Sequence, residues 1–163
     1  MFRQQGVFNH ARLAVSQPPI QEFPRMRNVL DTVLTSRWLW LLARLLLAVV
    51  FVSSGLAKLL AYEASLAEMR SAGLHPDWLF NIATAVTLLG GSVLILLDRA
   101  LWLGSGALAV FLALTIVVVH RFWALPADQA QPALFWALEH LSLIGGLMAA
   151  AIAGHLRKRL LAV

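Results

Sequence analysis

Apolar residues in this chain fall into four long runs separated by short polar breaks. The runs cover about 39–61, 77–97, 100–123 and 134–156. Each is close to the roughly 20 residues that an α-helix needs to cross a bilayer. The first break, "YEASLAEMRSAGLHP" (62–76), is long enough for a short helix before Gly73 and Pro76 stop it. The second is Asp98-Arg99 alone, which predicts a tight hairpin between the second and third runs. Upstream, "PRMRNVLDTVLTSRW" (24–38) has another period. Met26, Val29, Leu30, Val33, Leu34 and Trp38 recur at helical spacing, with Arg25, Arg27, Asp31 and Arg37 between them. That alternation predicts an amphipathic helix lying on the membrane surface. Lipid leaves only helices or closed barrels for spanning segments. The pattern therefore predicts an all-α protein: an integral membrane four-helix bundle with an N-terminal interfacial helix.

Composition agrees with the pattern. The chain is 60% hydrophobic and 13% charged, where soluble domains carry about a quarter charged residues. The absence of cysteine excludes disulfides and thiolate metal sites. No apolar stretch lies near Met1, so residues 1–23 read as a tail rather than a cleavable signal. The domain division is an extension over 1–37 and a four-span membrane domain over 39–163.

The net charge of +5 invites a nucleic-acid reading, but its placement argues otherwise. Arg3, Arg12, Arg25, Arg27, Arg37, Arg99, Arg157, Lys158 and Arg159 fall on one side of the four spans; Lys58, Arg70 and Arg121 fall on the other. A nine-to-three bias puts both termini in the cytoplasm. The partners of this charge are then anionic lipid headgroups, not nucleic acid.

Helical geometry assigns faces. Arg44 and Lys58 lie two heptads apart, with Ala48, Phe51 and Gly55 on the same side. In the second span Asp77, Asn81, Thr84, Leu88 and Gly91 share a face. In the third, Gly106, Ala109, Ala113, Val117 and His120 do; in the fourth, Glu139, Ser142, Gly146, Ala149 and Ala153. Small residues let helices approach closely in lipid, so these four stripes are expected to face inward. A polar cluster of Lys58, Asn81, His120, Arg121 and Glu139 is then expected near the outer interface, with Glu139 paired to a base. Arg44 is a candidate inner cation that can also reach headgroups by snorkelling. His140 points about 100° away from Glu139, which argues against a haem held by His120 and His140. The histidines at 10, 75, 120, 140 and 155 have no metal-ligand spacing, so no metal site is expected.

"RLLLAVVFVSSGLAKLL" (44–60), with an arginine, a glycine and a lysine three residues on, resembles the first span of DoxX-like membrane proteins. Gly73 and Pro76, Gly90-Gly91, "HRFW" (120–123), and Phe135 ahead of Gly145-Gly146 continue the resemblance over roughly 40–155. The resemblance implies a four-helix bundle in the bacterial cytoplasmic membrane. It also implies a role as a membrane subunit of, or partner to, a quinone-linked oxidoreductase, with quinone as the ligand and redox-enzyme subunits as partners. The alternative is a non-catalytic accessory or anchoring subunit. Self-association is left open by the sequence, and no span is broken at its centre as a translocator would favour.

Overall fold

The computed structural model describes residues 24–162. The expectations for residues 1–23 lie outside the described residues. The described elements are helical: α1 (Pro24–Leu34), α2 (Arg37–Leu60), α3 (Tyr62–Ser71), α4 (Asp77–Leu96), α5 (Leu101–Val118), a 3₁₀ turn at Phe122–Ala124, and α6 (Ala127–Leu161). Four segments are long and apolar enough to cross a membrane: Arg37–Leu60, Asp77–Leu96, Leu101–Ala124 and Ala127–Leu160. The protein is a multi-pass membrane protein.

The amphipathic helix is shorter than the pattern predicts. It ends at Leu34, and Ser36 starts a new helix by accepting from the Trp38 N–H at 3.2 Å. A serine hydroxyl satisfies one of the orphan donors at a helix start, so the chain turns there and Trp38 joins α2. Val29, Leu30, Val33 and Leu34 of α1 are exposed.

The turns follow from local chemistry. α3 stops at Gly73, whose φ of 75° few other residues adopt freely. Leu74 N–H then bonds Met69 O at 2.9 Å and Gly73 N–H bonds Arg70 O at 3.0 Å, a Schellman closure. The end of α4 closes the same way. Arg99 N–H bonds Leu94 O and Asp98 N–H bonds Ile95 O, both at 3.1 Å. Here Asp98 holds the left-handed position at φ 55°, and Ala100 is left-handed too at φ 46°. The helix that follows Pro126 starts earlier than the apolar run suggests. Pro132 sits in its second turn, where the missing N–H costs one bond to the Asp128 carbonyl. At 35 residues α6 is roughly 52 Å long, so its ends project beyond the hydrocarbon.

Packing runs in a curved row, α2 to α4 to α5 to α6, with α3 laid on α2 and α4. α2 and α6, at the ends of the row, meet over a short stretch only. The core is Phe51, Leu88, Ile95, Leu101, Leu108, Leu112 and Leu147. Glycines seat the leucines. A Cβ on Gly91 would lie 2.7 Å from Leu108 Cγ, and one on Gly154 would lie 2.4 Å from Leu101 Cδ2.

The expected faces hold in two spans and fail in two. Ala48, Phe51 and Gly55 of α2 are buried, as are Asn81, Leu88 and Gly91 of α4. In α5, however, Gly106, Ala113 and Val117 are exposed; the buried face is Leu101, Gly104, Ser105, Leu108 and Leu112. In α6, Glu139, Ser142, Gly146, Ala149 and Ala153 are exposed, whereas Ala133, Ala137, Leu147 and Gly154 are buried. The reason is that a glycine on one helix receives a leucine from the next. Small residues do not have to meet small residues, and in neither span do the polar residues form a single stripe that marks the inward face.

Candidate functional site

Both termini of the described chain and the α4–α5 turn lie at one end of the bundle, the terminal end. Lys58, Asn81, His120, Arg121 and Glu139 come at the other end by antiparallel topology. The structure does not gather those five into one cluster. The Lys58 ammonium pairs with the Glu68 carboxylate of α3, not with Glu139. Asn81 is fully buried and donates from Nδ2 to the Lys58 carbonyl at 3.0 Å, while its Oδ1 has no hydrogen bond among the described residues. Arg70 closes the same corner through Asp77 at 3.1 Å. α3 carries Glu68 and Arg70 across the tops of α2 and α4, so Lys58 finds a carboxylate nearer than the one on α6.

His120 lies with α6 instead. Its ring stacks on Trp136, with centroids 6.1 Å apart and planes 14° apart. It meets the His140 ring edge-on at 5.0 Å. His140 therefore faces α5 and not away from it, because the inward face of α6 is the one opposite to that expected. Glu139 and Arg121 are exposed and make no ion pair among the described residues.

The densest polar arrangement is at the terminal end, around Asp98. Trp40 donates its indole N–H to Asp98 Oδ2 at 2.9 Å, and Arg44 Nη1 lies 3.7 Å from the same oxygen. The Lys158 ammonium donates to the Asp98 carbonyl at 2.6 Å and stands 3.6 Å from Oδ1. Arg44 Nη1 also reaches the last carbonyls of α4, Leu96 O at 3.0 Å and Ile95 O at 3.3 Å. A cation at a helix C-terminus is favoured by the orphan carbonyls there. Arg157 adds a bond to Thr35 O at 2.9 Å. One turn thus ties α2, α4 and α6 together. Of this group the sequence marks only Arg44, as a possible inner cation, and does not mark Trp40, Asp98 or Lys158. Two signals were present: Trp40 and Arg44 stand four apart on a helix, and Asp98 is the lone acid of the hairpin.

Above this network α2 and α6 part. The cleft between them has a volume of about 320 Å³, walled by Ala43, Leu47, Gly146, Ala149, Ala150 and Ala153. Trp40 and Arg44 close its terminal end. The guanidinium carbon of Arg44 sits 5.6 Å over the Trp40 ring, a cation–π distance. Arg44 Nε is buried and makes no hydrogen bond among the described residues. The arrangement offers an apolar slot of small residues with a positively charged donor at its base. It can seat a flat or tailed lipophilic molecule that carries a hydrogen-bond acceptor.

A family model described as DoxX matches residues 39–121, from the start of α2 to just beyond α5. The chain belongs to the DoxX family. The family match takes in Arg44, Lys58 and Asp98, and leaves Glu139, His140 and the rest of α6 outside. No curated protein and no solved structure matches the chain. Among the described residues no group of three or more metal-ligating side chains converges.

Proposed function

We propose that this DoxX-family protein is a membrane subunit of, or partner to, a quinone-linked oxidoreductase, with the quinone head held in the α2–α6 cleft. One observation carries the reading: the cleft is apolar, and the donor at its base, Arg44 Nε, is buried without an acceptor among the described residues. A quinone carbonyl is an acceptor on an apolar ring, and a buried unmet donor favours such a partner. Quinone supplies the redox chemistry when bound; Arg44 orients the head, and Gly146, Ala149, Ala150 and Ala153 leave room for a tail. Lys58, Asn81, His120, Arg121 and Glu139 lie at the other end of the bundle and take no part in this site. Its setting is the bacterial cytoplasmic membrane with both termini inside, supported by the nine-to-three placement of basic residues. In that setting residues 1–37 form a cytoplasmic extension beside anionic headgroups.

Calorimetric titration of the protein in nanodiscs with a short-tailed benzoquinone tests this. Binding should be lost in Ala150→Leu, which fills the slot, and weakened by about tenfold in Arg44→Met, the loss of one hydrogen bond to a charged group. Binding unchanged in Ala150→Leu would overturn it.

A second reading, an accessory subunit without chemistry of its own, is favoured by a different observation. Lys58, Arg70, Arg44 and Lys158 all have carboxylate partners within the chain, while α1 displays an unburied apolar face. Deletion of 1–37 distinguishes the two. Loss of a co-purifying redox enzyme with no quinone binding in the intact chain selects the accessory role.

A further inference from the structure

We propose that His120 and His140 form a two-histidine site for a d-block dication such as Zn²⁺ or Cu²⁺ at the far end of the bundle. Three observations build it. The ring centroids are 5.0 Å apart at an interplanar angle of 72°. With metal–nitrogen bonds of about 2.0 Å a cation lies roughly 3 Å from each ring centre, so neighbouring ligand rings have centres about 4.5–5.5 Å apart. The pair already stands at that separation.

The second observation fixes a tautomer. His140 Nδ1 lies 2.8 Å from the Trp136 carbonyl. A carbonyl oxygen only accepts, so Nδ1 is the donor and Nε2 is the ring nitrogen left to face a cation. An imidazole whose far nitrogen donates to a backbone carbonyl is oriented as metal-bound histidines are. The third concerns His120. No hydrogen bond among the described residues holds its ring, which rests by stacking on Trp136. In the proposed site a turn about its Cβ–Cγ bond brings a ring nitrogen to the cation shared with His140 Nε2. Neither histidine takes part in an ion pair among the described residues, and both are half-buried where α5 gives way to the 3₁₀ turn. Imidazole suits zinc, copper and nickel and not calcium or magnesium. Two ligands leave the remaining positions to water, so the site is open.

The test uses the untagged full-length protein in detergent, titrated with Zn²⁺ by calorimetry and with Cu²⁺ by electron paramagnetic resonance. One equivalent should bind, with nitrogen hyperfine structure from two imidazoles. His120→Gln and His140→Gln should each weaken binding by about tenfold or more, with melting temperatures in metal-free buffer held near that of the parent. His75→Gln and His155→Gln serve as controls and should bind as the parent does. Cu²⁺ should also quench the fluorescence of Trp136, and Trp136→Phe should remove that part of the quenching. Binding that survives in the His120→Gln/His140→Gln double variant, or that follows His75 or His155, overturns the proposal.

Discussion

Trp40 and Asp98 are 58 residues apart and joined by a hydrogen bond of 2.9 Å from the indole N–H to Oδ2. The bond belongs to a turn whose backbone is strained: Asp98 and Ala100 both have positive φ. Aspartate enters the left-handed region more readily than most residues, and here its side chain is held from two helices. Asp98→Ala removes the acceptor for Trp40 and the countercharge for Arg44 and Lys158 together. It should destabilise the bundle by about 2–3 kcal/mol, the range for hydrogen bonds to charged groups. Asp98→Asn keeps an acceptor and the tolerance for positive φ, so it should cost less. Thermal melting in one detergent compares the two.

Ala100 has no such compensation. A left-handed conformation costs a residue with a Cβ roughly 1–2 kcal/mol, and nothing about the methyl group offsets it. Ala100→Gly relieves that cost and should raise the melting temperature, a gain of up to about 1 kcal/mol after the extra freedom of glycine in the unfolded chain.

Gly104 and Gly90 make a matched pair of opposite sign. A Cβ on Gly104 would meet the Gly91 carbonyl at 2.8 Å and Leu94 Cβ at 2.9 Å, and a backbone neighbour cannot swing aside. Gly104→Ala should cost about 1–3 kcal/mol through forced separation of α4 and α5. A Cβ on Gly90 meets nothing within 4 Å among the described residues. Gly90→Ala should be neutral or stabilising by up to about 1 kcal/mol, since alanine favours the helix. Unfolding in mixed micelles reads both.

Lys58 is paired with Glu68, and Glu68 is largely exposed. Solvent screens such a pair, so a double-mutant cycle on Lys58→Met and Glu68→Gln should show coupling of at most about 1 kcal/mol. The same cycle on Lys58 and Glu139 should show none. Coupling between Lys58 and Glu139 larger than that of the first pair would contradict the arrangement at the far end.

The break at Ser36 that splits the expected 24–38 helix is not marked by the apolar spacing. The four spans, the short α3 and the hairpin at Asp98-Arg99, in contrast, are local matters. Each depends on a run of apolar residues near bilayer length or on a residue with special backbone freedom, such as Gly73. These can be read one segment at a time. Which side of α5 and α6 turns inward is not local. α5 is apolar nearly all round, and the polar residues of α6, Glu139, His140 and Ser142, do not form one stripe, so the pattern does not single out an inward face. The choice falls to Leu101, Leu108 and Leu147 finding the spaces that neighbouring helices leave. That choice put His140 against His120, left Glu139 exposed, and opened the cleft over Arg44. Composition and spacing determined that this chain lives in a membrane as a bundle of four helices, because transfer to lipid acts on each segment separately. Tertiary packing decided which charges meet, because an ion pair depends on the distance between helices, and no single segment contains that distance.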